Sequence, residues 1–252
     1  MWLFNDYGFS NAFRIAHVFA AIMWIGLLWF FNFVQVPAFA EMDPAARNNA
    51  LDKLTWRALW WFRWAAAATL LLGIMIIGAL PDGYFPDGDA WGYWSTPSGA
   101  GLLIAIILAT IMAANVWMVI WPNQQIVIAN ARNVQGGGDA NPDAPAAGRA
   151  GAMASRQNTI FSFPVLFFML ASGHVFPVGG DFDFDPSGTN VMIYLLLGLA
   201  VAVVMELNAL GKISGRGNGG MNMLYETHKN AMYTGLGLIL FFYVAAEVLL
   251  AS

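Results

Sequence analysis

Six stretches of this sequence, 11–34, 57–80, 97–121, 158–176, 189–210 and 230–250, are each apolar over about the 20 residues that a bilayer-spanning helix needs. A segment in hydrocarbon must satisfy its own backbone hydrogen bonds, so these stretches read as helices. Ten of the eleven lysines and arginines fall in or close to alternate gaps between them. The first basic gap carries Arg47, Lys53 and Arg57, with Arg63 close by; the second carries Arg132, Arg149 and Arg156; the third carries Lys212, Arg216 and Lys229. The two remaining gaps hold Asp82, Asp87 and Asp89, then Asp181, Asp183 and Asp185, with no cation among them. By the positive-inside rule the basic gaps are cytoplasmic, and both termini of a bacterial inner-membrane protein with this pattern are periplasmic. The expected fold is an all-α integral membrane bundle of about six helices, one transmembrane domain over residues 1–252.

With 59% hydrophobic and 10% charged residues, the chain falls in the membrane class on composition alone. The net charge of −4 combines a basic face with an acidic one, so it does not point to nucleic acid. The absence of cysteine excludes disulfides, thiolate metal sites, iron–sulfur clusters and covalent c-type haem attachment. Ala38-Phe39-Ala40 resembles a leader-peptidase site, but the preceding apolar run is too long and lacks a basic start, so the first helix reads as structural.

Between the spans, Asp43-Pro44 is a helix start that leads through Pro44–Trp64 into the second span. Trp56, Trp60, Trp61 and Trp64 crowd that boundary, as indoles do at headgroup level. Residues 130–156, with Gly136-Gly137-Gly138 and many Ala and Pro, read as a cytoplasmic Gly/Pro-rich loop. The run Asp181-Phe182-Asp183-Phe184-Asp185 lacks the glycine and distal glutamate of a calcium loop and reads as a solvated rim or a docking surface for a basic protein.

Ionisable residues inside spans are costly and mark functional positions. His17 lies six residues into a helix that starts outside, about 9 Å deep, and His174 lies sixteen residues into a helix that starts inside, about 24 Å up. The two imidazoles are therefore expected near one level, as ligands of a b-type haem iron. Ala16, Ala20, Ala21, Ala171, Ser172 and Gly173 leave room for a macrocycle, and Arg14, one turn outward of His17, is placed to pair with a propionate. The plainer reading is that each histidine bonds a neighbouring helix and Arg14 snorkels or pairs with Asp6 or Glu247. Glu206 and His228 share a depth near the cytoplasmic face, where they form a candidate proton path or are simply solvated. Asn32, Asn115 and Asn208 read as interhelical donors, and Pro164 as a kink. No lysine lies deep in the last span to hold retinal, and no P-loop, nucleophile elbow or His-Glu-x-x-His is present.

Several segments resemble the urate oxidase N-terminal family, the membrane part of urate hydroxylases: His17 to Gly26 in the first span, Trp61-Phe62-Arg63-Trp64, Asn115 to Gln124, and Ala154 to Thr159 followed by Phe163 to Met169. The resemblance extends over about residues 10–250 and implies a membrane oxidoreductase that passes electrons, in the best-known members, from urate to a fused cytochrome c. This sequence has no Cys-x-x-Cys-His after its last span, so a separate periplasmic cytochrome c is the expected carrier. The alternative is a cofactor-free accessory subunit of a larger membrane complex.

Overall fold

The computed structural model describes residues 6–78, 93–174 and 188–250. Its described residues are helical throughout, joined by short turns, with no strand among them. Helix α1 (Asp6–Trp29) runs through a π turn at Phe30–Gln35 into α2 (Val36–Glu41); α3 (Pro44–Ala50) runs through a second π turn at Leu51–Thr55 into α4 (Trp56–Gly78). Helix α5 (Pro97–Asn115) continues through a third π turn at Val116–Ile120 into α6 (Trp121–Gln135). Then come α7 (Ala144–His174), α8 (Gly188–Ala209), the single turn α9 (Met223–Glu226) and α10 (His228–Leu250).

Local chemistry sets the ends of these helices. The Asp43 carboxylate accepts hydrogen bonds from the amides of Ala45 and Ala46 at 3.0 and 2.9 Å, with Pro44 at the first helical position. Thr96 caps α5 through the Gly99 amide, and Thr227 caps α10 through the Asn230 amide, at 3.1 and 3.0 Å. Helix α8 closes with Gly211 at φ 77°, which lets the Lys212 amide reach back to the Leu207 carbonyl at 2.8 Å.

Among the described residues, five helices are long and apolar enough to cross a bilayer by length and composition: Gly8–Glu41, Pro44–Gly78, Pro97–Gln135, Gly188–Ala209 and His228–Leu250. The sixth expected span lies in α7, which those criteria omit. It carries Ser155, Arg156, Gln157, Asn158, Thr159 and Ser162 where the others carry leucine and isoleucine. Its polarity follows from its position, because α7 is the axis of the bundle. It packs on α1, α5, α6, α8, α9 and α10, and every residue from Gln157 to Ser162 is fully buried.

Around this axis the outward faces are apolar. Ile15, Phe19 and Ile22 on α1, Leu71 and Ile74 on α4, Leu196 on α8 and Leu240 and Val248 on α10 are all exposed, as lipid-facing residues are. Lipid tails are as apolar as these side chains, so helix association rests on close packing and interhelical hydrogen bonds. Small residues allow that packing. A Cβ on Gly198 would lie 2.7 Å from Ile104, and one on Gly235 would lie 2.5 Å from Phe163 and 2.9 Å from the Ile160 carbonyl. That carbonyl is the one whose helical donor Pro164 removes.

The segment 130–156, expected as a loop, is mostly helix. Helix α6 extends to Gln135 and α7 begins at Ala144, leaving only a short turn. Alanines at 144, 146, 147, 150, 152 and 154 favour helix strongly enough to outweigh the glycines between them, and Pro145 falls in the first turn, where proline is tolerated. The turn is held by the Asn141 amide donating to the Asn130 side chain at 2.7 Å and by Asn133 Nδ2 donating to the Asp139 carbonyl at 2.6 Å.

Candidate functional site

His17 is half-buried and turned toward α4. Its Nδ1 lies 2.9 Å from the Thr69 carbonyl, which can only accept, so Nδ1 carries the proton. Nε2 is then a free lone pair, with no hydrogen-bond partner among the described residues. The ring lies over Gly73, where a Cβ would come to 3.3 Å from Cε1. An imidazole held through Nδ1 by a backbone carbonyl is the arrangement found where Nε2 binds a metal.

His174 is the last residue of α7, and its side chain lies outside the described residues. One contact between α1 and α7 bears on its depth relative to His17. Trp29 Nε1 donates to Ser162 Oγ at 2.8 Å, pinning α1 against the antiparallel α7. Twelve residues separate each of these anchors from the histidine on its own helix, about 18 Å of rise in both cases. By residue count the two histidines thus lie equally far along their helices from this contact; the contact does not set their direction, because Pro164 lies within α7 on the way. Arg14 is exposed one turn outward of His17. Asp82, Asp87, Asp89, Asp181, Asp183 and Asp185 lie outside the described residues.

At the opposite, basic end, Glu206 is half-buried and accepts a hydrogen bond from Asn115 Nδ2 at 2.9 Å. The same Asn115 amide donates to Asn158 Oδ1 at 3.1 Å, and Asn158 Nδ2 donates to the Met112 carbonyl at 2.8 Å. This chain joins α8, α5 and α7. His228 instead meets the Phe33 ring edge-on, centroids 6.2 Å apart, and no hydrogen bond or ion pair joins it to Glu206 among the described residues. Asn32 donates to Ser155 Oγ on α7 at 2.8 Å, as expected of an interhelical donor, whereas Asn208 donates to Asn222 Oδ1 at 3.1 Å, in the turn that precedes α9.

The tryptophans at this end do more than mark an interface. Arg63 stacks its guanidinium 3.8 Å from the Trp121 ring centroid, with Trp117 and Trp64 at 5.3 and 5.7 Å. Trp117 Nε1 donates to the Arg63 carbonyl at 3.1 Å. Asp52 is paired with Lys53 at 2.5 Å and with Arg132, so the start of α4 is tied to α6 by charge as well as by rings.

Sequence reasoning missed one group of residues. Arg156, placed at the end of the expected loop, and Gln157, just before the expected fourth span, sit in the buried axis at 7% and 0% exposure. Arg156 Nη1 and both polar atoms of Gln157 have no hydrogen-bond partner. The available signal was the unbroken passage from Arg156-Gln157-Asn158-Thr159 into an apolar run, with no turn residue between them. The described residues hold no cluster of three or more His, Cys, Asp or Glu that could bind a metal.

The model of the family described as urate oxidase N-terminal matches residues 89–213. That segment includes α5 to α8, with His174, Arg156, Asn115 and Glu206, and leaves out α1, α4 and α10, with His17, Arg14 and His228. No curated protein and no solved structure gives a significant match.

Proposed function

We propose that this chain, of which residues 89–213 match the urate oxidase N-terminal family, is a urate-oxidase-related membrane domain that transfers electrons and holds one b-type haem between His17 and His174. The observation that carries the reading is the His17 imidazole, fixed through Nδ1 on the Thr69 carbonyl with Nε2 left as a ligand and Gly73 making room beside it. On the His17 side, the residues present therefore fit the group. A haem bound there supplies a one-electron couple.

The protein's own contribution is orientation and charge. The Thr69 carbonyl holds His17 in one tautomer, and Arg14 offers a cation one turn outward for a propionate. Glu206, held by Asn115, is the proton-exchanging group at the inner end, with His228 turned to Phe33 and not bonded to Glu206. Basic loops face the cytoplasm of a bacterial inner membrane and both termini face the periplasm, where the acidic loops receive a separate cytochrome c.

A reduced-minus-oxidised spectrum of the purified full chain tests this. Low-spin b-type bands that vanish in His17→Ala and in His174→Ala, with the protein still inserted, are expected. Bands that persist in either variant would refute the ligand pair, and their absence from the wild type reconstituted with haem would refute the cofactor. Slowing of cytochrome reduction by salt tests the acidic docking face.

A further inference from the structure

Arg156 is a buried cation without a counter-charge. It makes no hydrogen bond or ion pair among the described residues, and the charge that acts on it is another cation, Arg149. Arg149 is itself committed to the carbonyls of Arg216 and Gly217, at 3.0 Å each. An uncompensated charge inside a bundle is strongly unfavourable, so an arginine kept at 7% exposure, with Nη1 fully buried, needs an anion. Gln157 beside it, fully buried with donor and acceptor both unpartnered, marks the same turn as built for polar contents.

The surroundings locate the opening. Phe163 meets Gly235 where α7 packs on α10. Both helices run outward from the basic end, and seven residues inward from this contact lie Arg156 on α7 and His228 on α10, about 10 Å below it at one level. Seven residues return a helix to nearly the same face, so both positions look into the seam that α7 and α10 share with α1. Trp29 stacked on Phe163 at 5.3 Å closes the seam above, and the Phe33–His228 ring contact borders it below.

We propose that the seam at Arg156 and His228 binds a small oxyanion entering from the basic end of the bundle. A guanidinium fork matches the two oxygens of a carboxylate or phosphate, and the imidazole adds a donor. Along α7 this site lies about 27 Å from His174, so it is separate from the haem position and independent of that reading.

The test uses formate as the probe, titrated against equal chloride, with the full chain in neutral detergent. A parallel arm compares nanodiscs of phosphatidylglycerol and phosphatidylcholine. The melting temperature of the wild type is expected to rise with the logarithm of formate concentration, and this rise should be lost in Arg156→Leu and Arg156→Gln. Without oxyanion, Arg156→Leu should melt no lower than the wild type, since it removes an unpaired charge. Stabilisation by phosphatidylglycerol alone that both variants lose assigns the oxyanion to a lipid headgroup. Stabilisation that survives in either variant, or no Arg156-dependent stabilisation in either arm, overturns the site. Arg156→Gln keeps a polar side chain should the leucine variant fail to insert, and an unchanged haem spectrum in it separates this result from the fate of the haem.

Discussion

The Nδ1 atom of His17 lies 2.9 Å from the main-chain oxygen of Thr69, a bond between the first and second spans that no side-chain substitution at position 69 can remove. The Thr69 hydroxyl is occupied elsewhere, donating to the Ala65 carbonyl at 2.7 Å. Thr69→Val should therefore leave the orientation of His17 and the proposed haem spectrum unchanged. A lost or shifted low-spin band in that variant would show that the hydroxyl, and not the carbonyl, orients the ring.

Gly73 gives the complementary test. A Cβ there comes to 3.3 Å from the His17 ring, a contact that a displacement of a few tenths of an ångström relieves. Gly73→Ala should shift the haem potential while retaining the spectrum, whereas Gly73→Leu should abolish haem binding. Redox titration of the two variants checks this, and an unperturbed Gly73→Leu protein would contradict the placement of the ring.

Gly235 holds α10 against α7 at a distance no side chain fits. Its Cβ would stand 2.5 Å from a Phe163 ring carbon and 2.9 Å from a backbone oxygen that cannot easily move. Gly235→Ala should destabilise the bundle by about 1–3 kcal/mol, the usual cost of overpacking. Unfolding in a denaturing detergent titration measures it, with Gly237→Ala as the control, since nothing lies within 4 Å of that position.

Asn158 bonds both Asn115 and the Met112 carbonyl from the centre of α7. Interhelical hydrogen bonds in membranes average about 0.6 kcal/mol, so Asn158→Leu should cost on the order of 1 kcal/mol. It should also release Asn115 to Glu206 alone. A variant as stable as the wild type in the same titration would show that the bundle axis tolerates apolar replacement.

The topology has its own check. Reporter fusions after residue 250 and within the turn between α6 and α7 should report opposite sides of the membrane, with the α6–α7 turn cytoplasmic. The reverse assignment would show that the basic loops do not set the orientation.

Much of this architecture was legible because a bilayer imposes length and polarity on each crossing segment separately. The apolar stretches behind α1, α4, α5, α8 and α10 and the cap at Asp43 follow from local chemistry and need no knowledge of neighbours. Helix α7 was misjudged for the opposite reason. Its alanine-rich start looked like a loop and its polar run like a boundary, because a helix surrounded by protein is freed from the hydropathy that lipid contact demands. Depth was calculable from residue counts alone, so His17 and His174 were expected at one level before any contact was known. Which helix His17 faces, that Arg63 is stacked among tryptophans, and that Arg156 is buried without a partner are matters of rotation and packing. Rotation depends on which neighbours fit together, at Gly235 against Phe163 and at Trp29 against Ser162, and those pairings join residues far apart in the chain. The sequence by itself determined how many apolar segments there are and where each begins; only the tertiary structure decided which faces meet.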